Sequence, residues 1–490
     1  MSELQVPIIL PVAILVVWAL LILLLSPLVR ETPRGLGALV SPWGGSLLAT
    51  VFSAIACTRL WSGVPVGAAE TAYGMVRIDR FGIYMSVLVL AIGFLSLLFS
   101  ARFLEREEAE HGEFYALVLF ALAGMLIMVQ TTHLVLLLTG LEIFSVTLYV
   151  LCGLTRGRVR SIESALKYFL LGAFSSGFLV YGLALIYGAT GSLFLGSIAG
   201  AAEHPSALLS MGLGLVVIGL AFKIAVVPFH QWVPDVYTGA PTNVTGFMAA
   251  ATKTVAFAAL LRVLVGAFGK NPAAWTPLLT WLSIVTMTTA NVVALTQTNI
   301  KRLLAFSSIA HAGTLLIAVV CVPEYGVKAI LFYLTTYAFM TVGAFAVAAA
   351  VGRGDSKGER GYDYLQSWAG LGRRRPWLAA AMTIFLLSLA GIPPTGGFVG
   401  KYLIFQAAVQ SKLWLLAVVG SLNAVIAAYY YLSVIMTMWF KDPEEATESP
   451  EPLTPSLAAA LAVAVVAVFW LGMAPSRLLE AATGLAATLI

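Results

Sequence analysis

The segment Gly219-Leu-Ala-Phe-Lys-Ile-Ala-Val-Val-Pro228-Phe-His230 sets a lysine and then a proline inside an apolar run. The run extends over about 207–231 and can cross a bilayer, since a span needs roughly 20 apolar residues. A charge in the middle of a span costs about 2.5–3.5 kcal/mol on insertion scales, and proline kinks a helix by removing a hydrogen bond. The segment therefore predicts a broken membrane helix beside a buried lysine, Lys223.

The whole chain has the composition of an integral membrane protein. Its 490 residues are 60% hydrophobic and only 10% charged, with a mean hydropathy of +0.95. A soluble domain is usually about 25% charged, and a soluble protein this apolar would expose large patches that aggregate. The net charge of +5 lies in short loops between apolar runs, so it indicates membrane topology and no nucleic-acid partner.

Residues that could hold a metal or a redox cofactor are few and scattered. Cys57, Cys152 and Cys321 lie in or beside apolar runs and form no CxxC pair, so we interpret them as small buried hydrophobes. The stretch 395–401 superficially resembles a phosphate loop, but it lacks the first glycine and the final Ser or Thr and lies in a span. We therefore predict that this chain itself binds no cofactor and no metal.

The apolar runs predict an all-α polytopic membrane fold with about 14 transmembrane helices. The first run is too long for a signal-peptide core and lacks a clear cleavage site, so we interpret it as a retained span. The seventh and twelfth spans contain prolines and are predicted to be discontinuous. The approximate extents are 6–29, 38–61, 80–101, 114–131, 133–153, 164–188, 207–231, 240–267, 275–297, 302–322, 325–351, 376–409, 411–440 and 455–475.

Loop charges predict that both termini lie outside the cell, because basic residues stay on the cytoplasmic side. One set of alternate loops carries few basic residues: Arg77, Lys270, Lys412 and Arg477. The other set, which begins after the first span, carries Arg30, Arg34, Arg102, Arg106, Arg156, Arg158, Arg160, Lys301, Arg302, Arg353, Lys357, Arg360, Arg373, Arg374 and Arg375. The loop 441–452 is acidic yet falls inside, which is no contradiction because acidic residues contribute little to the rule.

A weak internal repeat predicts two five-helix blocks, spans 4–8 and spans 9–13. Ala165-Leu-Lys-Tyr-Phe-Leu resembles Ala329-Ile-Leu-Phe-Tyr-Leu, and a proline-broken span follows in both cases. An odd number of helices inverts the second block, as in many transporters. No loop is long enough for a soluble domain, so we predict a single membrane domain. Its parts are 1–112 with three spans, 113–268 with the first repeat, 269–441 with the second repeat, and 442–490 with the last span.

Four ionisable residues fall in the predicted membrane interior: Glu142, Lys223, Lys253 and Lys401. Together they cost roughly 10 kcal/mol or more before they find partners, so they need an explanation. The alternatives to a functional role are a structural ion pair for Glu142 and snorkelling for the lysines. Apolar residues on both sides of Lys223 count against snorkelling, and small residues before Lys253 let helices or water approach.

Helix breaks beside two of these lysines favour the functional interpretation. Val227-Pro228 follows Lys223, and Ile392-Pro393-Pro394 precedes Lys401. Freed backbone groups at membrane depth must line a cavity or be buried in protein, so both breaks can admit water beside a lysine. A hydrated lysine can gain and lose a proton. The alternative is ordinary kinking, which is common in membrane helices.

Two histidines are secondary candidates. His230 follows the proline of the first break, and His311 ends the segment Ser307-Ser-Ile-Ala-His311. Histidine titrates near neutral pH, so either residue could relay protons. The alternative for each is a histidine satisfied in the core.

Three motifs resemble the antiporter-like subunits of respiratory complex I. They are Ala221-Phe-Lys-Ile-Ala-Val-Val-Pro-Phe-His-Gln-Trp-Val-Pro-Asp235-Val-Tyr-Thr-Gly-Ala-Pro-Thr242, Asn299-Ile-Lys-Arg-Leu-Leu-Ala-Phe-Ser-Ser-Ile-Ala-His311 and Ala390-Gly-Ile-Pro-Pro-Thr-Gly-Gly-Phe398. The resemblance covers roughly 110–440, and the first motif is highly specific. Tyr168-Phe-Leu-Leu-Gly172 looks most like the subunit-N branch of bacterial NADH:quinone oxidoreductases. Lys401 departs from the subunit-M branch, which has glutamate there, and the chain ends too soon for the lateral helix of the largest member.

The resemblance implies roles for the charges found above from their cost alone. The family's glutamate of the fifth span falls on Glu142, and its lysine of the broken seventh span falls on Lys223. The central lysine falls on Lys253, the distal lysine on Lys401 and the histidine of the tenth span on His311. The resemblance also implies a subunit of an enzyme that has no redox centre of its own, because NADH, FMN, iron–sulfur clusters and quinone are bound by partner subunits. The implied partners are subunit M, small subunits such as K and J, and the lipid of a bacterial inner membrane.

We therefore expect a proton-translocating membrane subunit that is driven by quinone reduction in its neighbours. In this hypothesis, pairing with Glu142 keeps Lys223 protonated. Opening of the pair releases a proton toward Lys253, and Lys401 gates its exit. One alternative is a subunit of a multisubunit Na+/H+ antiporter or of a membrane-bound hydrogenase, which use the same module. A purely structural anchor is less favoured, because an anchor needs no buried charges.

Overall fold

The computed structural model describes residues 2–26, 41–64, 70–72, 74–106, 112–155, 157–322, 325–352, 363–443 and 453–489. These residues are mostly helical. In chain order the helices are α1 (Ser2–Leu25), α2 (Pro42–Gly63), α3 (Arg80–Arg106), α4 (Gly112–Gln130), α5 (Leu134–Cys152), α6 (Val159–Thr190), α7 (Leu195–Ala201), α8 (Ala207–Ile224), α9 (Trp232–Gly239), α10 (Thr242–Phe268), α11 (Thr276–Ala294), α12 (Ile300–Val320), α13 (Gly326–Val351), α14 (Leu371–Arg374), α15 (Pro376–Ala390), α16 (Gly396–Gln410), α17 (Trp414–Phe440), α18 (Pro455–Met473) and α19 (Ser476–Leu489).

One small hairpin departs from the purely helical prediction. Strands β1 (Glu70–Ala72) and β2 (Val76–Ile78) pair antiparallel, with Glu70 opposite Ile78. Val76 also forms an isolated bridge to Thr131, in the turn between α4 and α5. The hairpin therefore ties the connection before α3 to the α4–α5 turn, and it does not alter the helical membrane core.

Twelve of the described helices are long and apolar enough to cross a membrane, so the chain is a multi-pass membrane protein, as predicted. They are α2, α3, α4, α5, α6, α8, α10, α11, α12, α13, α17 and α18. The apolar segment Ile9–Leu25 of α1 and the helix α15 are shorter. These two coincide with the first and twelfth predicted spans. Helix α15 is short because the chain breaks at the predicted prolines.

Both predicted helix breaks are present. Helix α8 ends at Ile224, and Ala225 adopts a left-handed conformation with φ 69° before the chain reaches α9. Helix α15 ends at Ala390, and Gly391 adopts the same conformation with φ 85° before α16. In each case the backbone N–H of the left-handed residue bonds to carbonyls of the last turn, which is the usual way to terminate a helix.

Helices α10, α12 and α13 form the centre of the bundle. All of the apolar stretch of α12 and 94% of those of α10 and α13 is buried. Helices α6 and α17, by contrast, expose large apolar side chains such as Phe174 and Leu422. In a membrane, such exposed apolar surface faces lipid or other membrane proteins, whereas ionisable groups face the bundle interior. The central helices are therefore where buried charges are expected.

Part of the charge pattern behind the predicted orientation lies outside the described residues. This holds for six basic residues, Arg30, Arg34, Arg156, Arg353, Lys357 and Arg360, and for most of the acidic loop 441–452. Asp442 of that loop is described, and its carboxylate accepts a hydrogen bond from Arg373 Nη1 at 2.6 Å. The orientation of the termini stays a prediction.

Candidate functional site

Lys223 lies in the last turn of α8, directly before the break, and its side chain is buried. Its ammonium donates a hydrogen bond of 3.4 Å to the hydroxyl of Tyr149 on α5. The ring centroids of Phe144, Tyr149, Tyr168 and Phe222 lie 5.3–5.8 Å from Nζ. Aromatic faces attract cations, most strongly where water is excluded. The structure therefore places this lysine in an aromatic cage rather than against aliphatic side chains alone.

Glu142 lies on α5 and is half-buried. Its Oε1 accepts a hydrogen bond of 2.5 Å from the hydroxyl of Ser176 on α6. No ion pair within 4.0 Å joins Glu142 to Lys223 among the described residues, but the charge of Glu142 acts on both Lys223 and Tyr149. Whether these two residues touch is left open by the sequence; in this conformation they are not paired, and Tyr149 is the group that touches the lysine.

An aromatic step separates Lys223 from the next lysine. Tyr168, whose ring lies beside Lys223, stacks on Trp232 with centroids 4.6 Å apart, and Trp232 lies 6.2 Å from Tyr237. Tyr237 lies on α9, which packs against α12, the helix that carries Ser308. The rings form a continuous set of contacts but not a chain of hydrogen bonds. A proton can cross this step only on water or by side-chain movement.

Lys253 lies in the middle of α10 and points at α12. Its Nζ donates a hydrogen bond of 2.6 Å to Ser308 Oγ and another to the carbonyl oxygen of the same residue. Ser308 Oγ is in turn 2.8 Å from the hydroxyl of Tyr337 on α13, whose ring lies 5.2 Å from Nζ. Lys253 is buried, and its partners are neutral groups. Such a lysine can exchange its proton more readily than one held by a carboxylate.

His311 lies one turn after Ser308 on α12 and is bonded through both ring nitrogens. The hydroxyl of Tyr333 is 2.6 Å from Nδ1, and the hydroxyl of Tyr431 is 3.1 Å from Nε2. A neutral imidazole has one donor and one acceptor nitrogen, so one tyrosine accepts from the ring while the other donates to it. Exchange of the two tautomers relays a proton between the tyrosines when the donating hydroxyl regains a proton from its other side and the accepting hydroxyl gives up its own. The charges of Lys253 and Lys401 both act on this histidine.

Lys401 lies in α16, after the second break, and its side chain folds back across that break. Its Nζ donates a hydrogen bond of 2.9 Å to the carbonyl oxygen of Ala390, the last residue of α15. The C-terminus of a helix carries partial negative charge, so this carbonyl is a favourable partner for a cation. The helix break thus supplies the partner of this lysine directly.

His230 stands apart from these contacts. It lies half-buried in the first break, between α8 and α9, and its Nδ1 has no hydrogen-bond partner among the described residues. The structure therefore brings Lys253 and His311 together on one set of helices, whereas the hydrogen bond that Lys401 donates among the described residues goes to Ala390. It places Glu142 near Lys223, and it does not join His230 to either group.

Two kinds of polar residue at or near the site were not predicted from the sequence. The first kind comprises the hydroxyl partners of the charged groups: Tyr149, Ser176, Ser308, Tyr333, Tyr337 and Tyr431. Nothing distinguishes a tyrosine or serine of this set from others in apolar helices until the helices are packed. The second kind is a buried ion pair, whose signal was present in the sequence.

That ion pair joins Arg262 of α10 to Asp79, which precedes α3. Nη1 and Nη2 each donate to one carboxylate oxygen at 2.8 Å, and Nε donates to the carbonyl of Val129 at 2.5 Å. Asp79 also accepts from the backbone N–H of Gly82 at 2.6 Å. Arg262 interrupts the apolar run Leu260-Leu-Arg-Val-Leu264, so the cost argument that found the lysines applies to it equally. The pair anchors α10 against α3 and α4, away from Lys253.

Comparison with known proteins shows which family the chain resembles. Residues 131–427 match the family described as NADH:quinone oxidoreductase/Mrp antiporter, TM. The chain is 43% identical to the NADH-quinone oxidoreductase subunit N 1 of Solibacter usitatus, over 98% of this chain and 97% of that relative. It is 36% identical to a chain of respiratory complex I from Thermus thermophilus with bound aureothin, with a TM-score of 0.79 over 96% of this chain and 98% of that one.

A likeness of fold extends further. A chain of the Mrp complex from Dietzia sp. superimposes with a TM-score of 0.83 over 98% of this chain and 97% of that one, at 23% identity. At that identity the likeness concerns the fold alone. The same helical framework is therefore shared by complex I and the Mrp complex, and the residues of the site must separate them.

Proposed function

The chain belongs to the NADH:quinone oxidoreductase/Mrp antiporter transmembrane family, and we propose that it is the proton-translocating subunit N of an NADH-quinone oxidoreductase. The observation that carries this proposal is the buried set Lys253, Ser308 and His311 on the central helices. Ionisable groups in a membrane interior are costly and mark ion or proton pathways. The chain is thus part of an enzyme and moves protons for it.

The alternative, a subunit of a Na+/H+ antiporter, is less favoured. The relative named as subunit N is 43% identical over nearly the whole chain, whereas the Mrp chain is 23% identical. The contacts of the lysines favour protons as well. Lys223, Lys253 and Lys401 present ammonium groups, which repel Na+ and offer it no oxygen ligand, whereas they can bind and release a proton.

The proposed path begins at Glu142 and Lys223. Charge rearrangement in a neighbouring subunit alters the field at Glu142, which is half-buried at the α5–α6 surface. Approach of its carboxylate stabilises the Lys223 cation, since two unit charges attract more strongly as their distance falls and as water is excluded. Retreat of the carboxylate frees the proton to cross the aromatic step toward Ser308 and Lys253.

The second half of the path uses the hydroxyl groups. Ser308 and Tyr337 connect Lys253 to α12 and α13. His311 can relay a proton between Tyr333 and Tyr431 when one hydroxyl is reprotonated from its other side and the other releases its own proton. Lys401 is held at the carbonyl end of α15 and gates release. His230 lies at the first break, where it is placed to exchange protons with water that reaches Lys223.

The architecture that supports this path is a pair of inverted repeats in one membrane domain. We assign 14 spans by counting α1 and the pair α15–α16 with the twelve full-length helices. The first repeat occupies 113–268 and the second 269–441, between an N-terminal unit of three spans and a final span in 442–490. Both repeats contain a helix that stops at a left-handed residue, Ala225 or Gly391. We place both termini outside a bacterial inner membrane.

The cofactors belong to partners in this proposal. NADH, FMN, iron–sulfur clusters and quinone are assigned to other subunits. The chain is part of complex I with those subunits, and we propose subunit M and small subunits such as K and J as its membrane neighbours. The exposed apolar sides of α6 and α17 offer surfaces for them and for lipid.

The test is the substitution Lys253→Met in an intact NADH-quinone oxidoreductase reconstituted into liposomes. Methionine keeps the length and apolar stem of the lysine but cannot carry a proton. We expect the number of protons pumped per NADH to fall at least severalfold while the complex still assembles. The measurement is quenching of a pH-sensitive dye during quinone reduction, compared with the NADH consumed.

Lys270→Met is the matched control, because Lys270 is an exposed lysine in the loop after α10 that pairs with Glu203. It should leave pumping unchanged. Wild-type pumping by an assembled Lys253→Met complex would refute the proposal. Sodium-dependent proton exchange without NADH would favour the antiporter alternative.

A further inference from the structure

A single carboxylate on α9 bonds to cations from two other helices. Asp235 Oδ2 accepts from Lys167 Nζ of α6 at 2.8 Å, and its Oδ1 accepts from Arg302 Nη1 of α12 at 2.8 Å. Each oxygen therefore serves a different helix. Asp235 and Arg302 belong to two of the three motifs that resemble the family, yet the proton path uses neither of them.

The end of α9 is held by the same two neighbours. The carbonyl of Ala240 accepts from Lys301 Nζ at 3.3 Å, so α12 binds α9 beyond the carboxylate too. Gly239 lies against the start of α6 so closely that an added Cβ would be 2.4 Å from the carbonyl oxygen of Arg160. Helix α9 is thus held between the N-terminal parts of α6 and α12.

These three helices carry separate parts of the proposed path. Helix α9 follows directly on the break after Lys223. Helix α6 carries Ser176, the partner of Glu142, and α12 carries Ser308 and His311. Helix α12 belongs to the second block of the chain, while α6 and α9 belong to the first. The carboxylate of Asp235 therefore spans the boundary between the two halves of the path.

We propose that Asp235 is a positioning residue that couples the two halves. It transmits movement of the break at Lys223 to α12, which carries the partners of Lys253. The inference rests on the proposed function. One exposed ion pair contributes only about 0–1 kcal/mol to stability. A carboxylate shared by two helices has a different consequence: both bonds survive only while the helices keep their relative positions, so a shift of α9 must break one bond or move α12.

The experiment uses the intact, reconstituted complex and measures protons pumped per NADH beside quinone reduction. For Asp235→Asn we expect the ratio to fall by roughly twofold or more with assembly retained. Asp235→Glu, which keeps the charge, should recover most of the loss. Lys167→Met and Arg302→Met should each lower the ratio. The double variant Asp235→Asn/Arg302→Met should be no worse than Asp235→Asn alone, because both changes remove the same link.

Glu163→Gln is the matched control. Glu163 also binds Lys167, at 2.6 Å, but both residues lie on α6, so this pair joins no two helices. It should pump as the wild type does. Wild-type pumping by Asp235→Asn would overturn the inference, and so would strictly additive losses in the double variant or an equal loss in Glu163→Gln. A purely structural role would lower the amount of complex in all variants and leave the proton ratio of the assembled fraction unchanged.

Lys253→Met, measured in parallel, separates this inference from the proposed function. If Lys253→Met pumps normally, the proton-translocating role itself fails. If Lys253→Met is impaired and Asp235→Asn is normal, the role stands and only the coupling through α9 is excluded.

Discussion

Both broken helices end at a residue in the left-handed conformation, but their lysines lie on opposite sides of that residue. Lys223 lies before the first break, in the last turn of α8, whereas Lys401 lies after the second break, in α16. Lys401 therefore reaches back to the freed carbonyl of Ala390. Lys223 cannot reach the corresponding carbonyls in this way, and its cation depends on Tyr149, on aromatic rings and on the more distant Glu142.

This difference indicates that the two lysines respond to different signals. A backbone carbonyl at a helix end is a fixed partner, so the state of Lys401 follows the geometry of its own break. A carboxylate on another helix is a movable partner, so the state of Lys223 follows the position of Glu142. In the proposed path, the first break would therefore receive the electrostatic signal, and the second would hold a proton until the helix itself moves.

The half-helices are also joined differently. In the first break, Trp232 of α9 donates its indole N–H to the carbonyl of Phe222 at 3.1 Å. In the second, the backbone N–H of Gly397 donates to Ser388 Oγ at 3.2 Å, and a Cβ on this glycine would lie 1.8 Å from the carbonyl oxygen of Ser388. The side chain of Trp232 thus joins α8 and α9, whereas α15 and α16 are joined at a close approach of their backbones.

The largest effect is expected from Gly397→Ala, because an alanine side chain would prevent the close approach of α15 and α16. A methyl group cannot fit at this distance from backbone, so α15 and α16 must separate and Lys401 loses its carbonyl. We expect a loss of about 3 kcal/mol or more in stability, the upper end of the cost of overpacking. The measurement is the amount of assembled complex and its thermal midpoint in detergent.

Gly177→Ala on α6 is the control, because nothing lies within 4 Å of the Cβ it would introduce. It should keep the midpoint of the wild type. Equal midpoints for the two variants would mean that the second break is no tighter than an exposed helix face, and the contrast between the breaks would not hold.

The sequence predicted the spans and the breaks because both depend on local composition. Long apolar runs have no stable alternative outside lipid, and proline removes a helix hydrogen bond wherever it lies. The four charges within the apolar runs were found because their cost is a property of the residue and its neighbours in sequence. The same cost applies to Arg262, which also lies within an apolar run.

The partners of the charges could not be predicted in this way. Tyr149 reaches Lys223, and Ser308 reaches Lys253, only because α5 packs near α8 and α12 packs near α10. Such contacts are set by helix packing, for which an apolar sequence gives little information. The separation of Glu142 from Lys223 belongs to the same class, since the sequence fixes neither the distance between two helices nor their rotation.

A second, smaller effect is expected from Glu142→Gln. This variant tests whether Lys223 depends on a movable carboxylate, in contrast to Lys401, whose partner is a fixed backbone carbonyl. Glutamine keeps the shape and can still accept the hydrogen bond from Ser176, but it removes the charge that acts on Lys223. We expect fewer protons per NADH with quinone reduction and assembly retained, a loss of roughly twofold to tenfold. The measurement is the dye-quench assay in liposomes.

Ser176→Ala is the control for this variant. It removes the hydroxyl that orients the carboxylate and leaves the charge in place, so its loss should be clearly smaller than that of Glu142→Gln. If both variants lose the same fraction of pumping, the orientation of Glu142 matters rather than its charge. Wild-type pumping by Glu142→Gln would assign this residue a structural role only.

The smallest effect concerns the left-handed residues that stop the two helices, and here the breaks should respond with opposite signs. Ala225 and Gly391 adopt nearly the same backbone conformation, but a left-handed conformation costs a residue with a Cβ about 1–2 kcal/mol. Gly391→Ala should therefore destabilise the protein, and its Cβ would also meet Lys401 Cδ at 2.8 Å. Ala225→Gly should relieve strain and stabilise it by up to about 1 kcal/mol, less the entropy that glycine adds to the unfolded chain.

The thermal midpoints of these two variants test whether the breaks share one backbone geometry. A rise for Ala225→Gly and a fall for Gly391→Ala would mean that both helices end by the same left-handed turn and that alanine at 225 is retained at a cost in stability. Strain of this kind is found at sites that must change conformation. Ala225→Gly should then pump less well than its stability suggests, because a relaxed turn no longer favours movement of α9. A stabilised variant with undiminished pumping would show that the strain at Ala225 has no part in the response of Lys223.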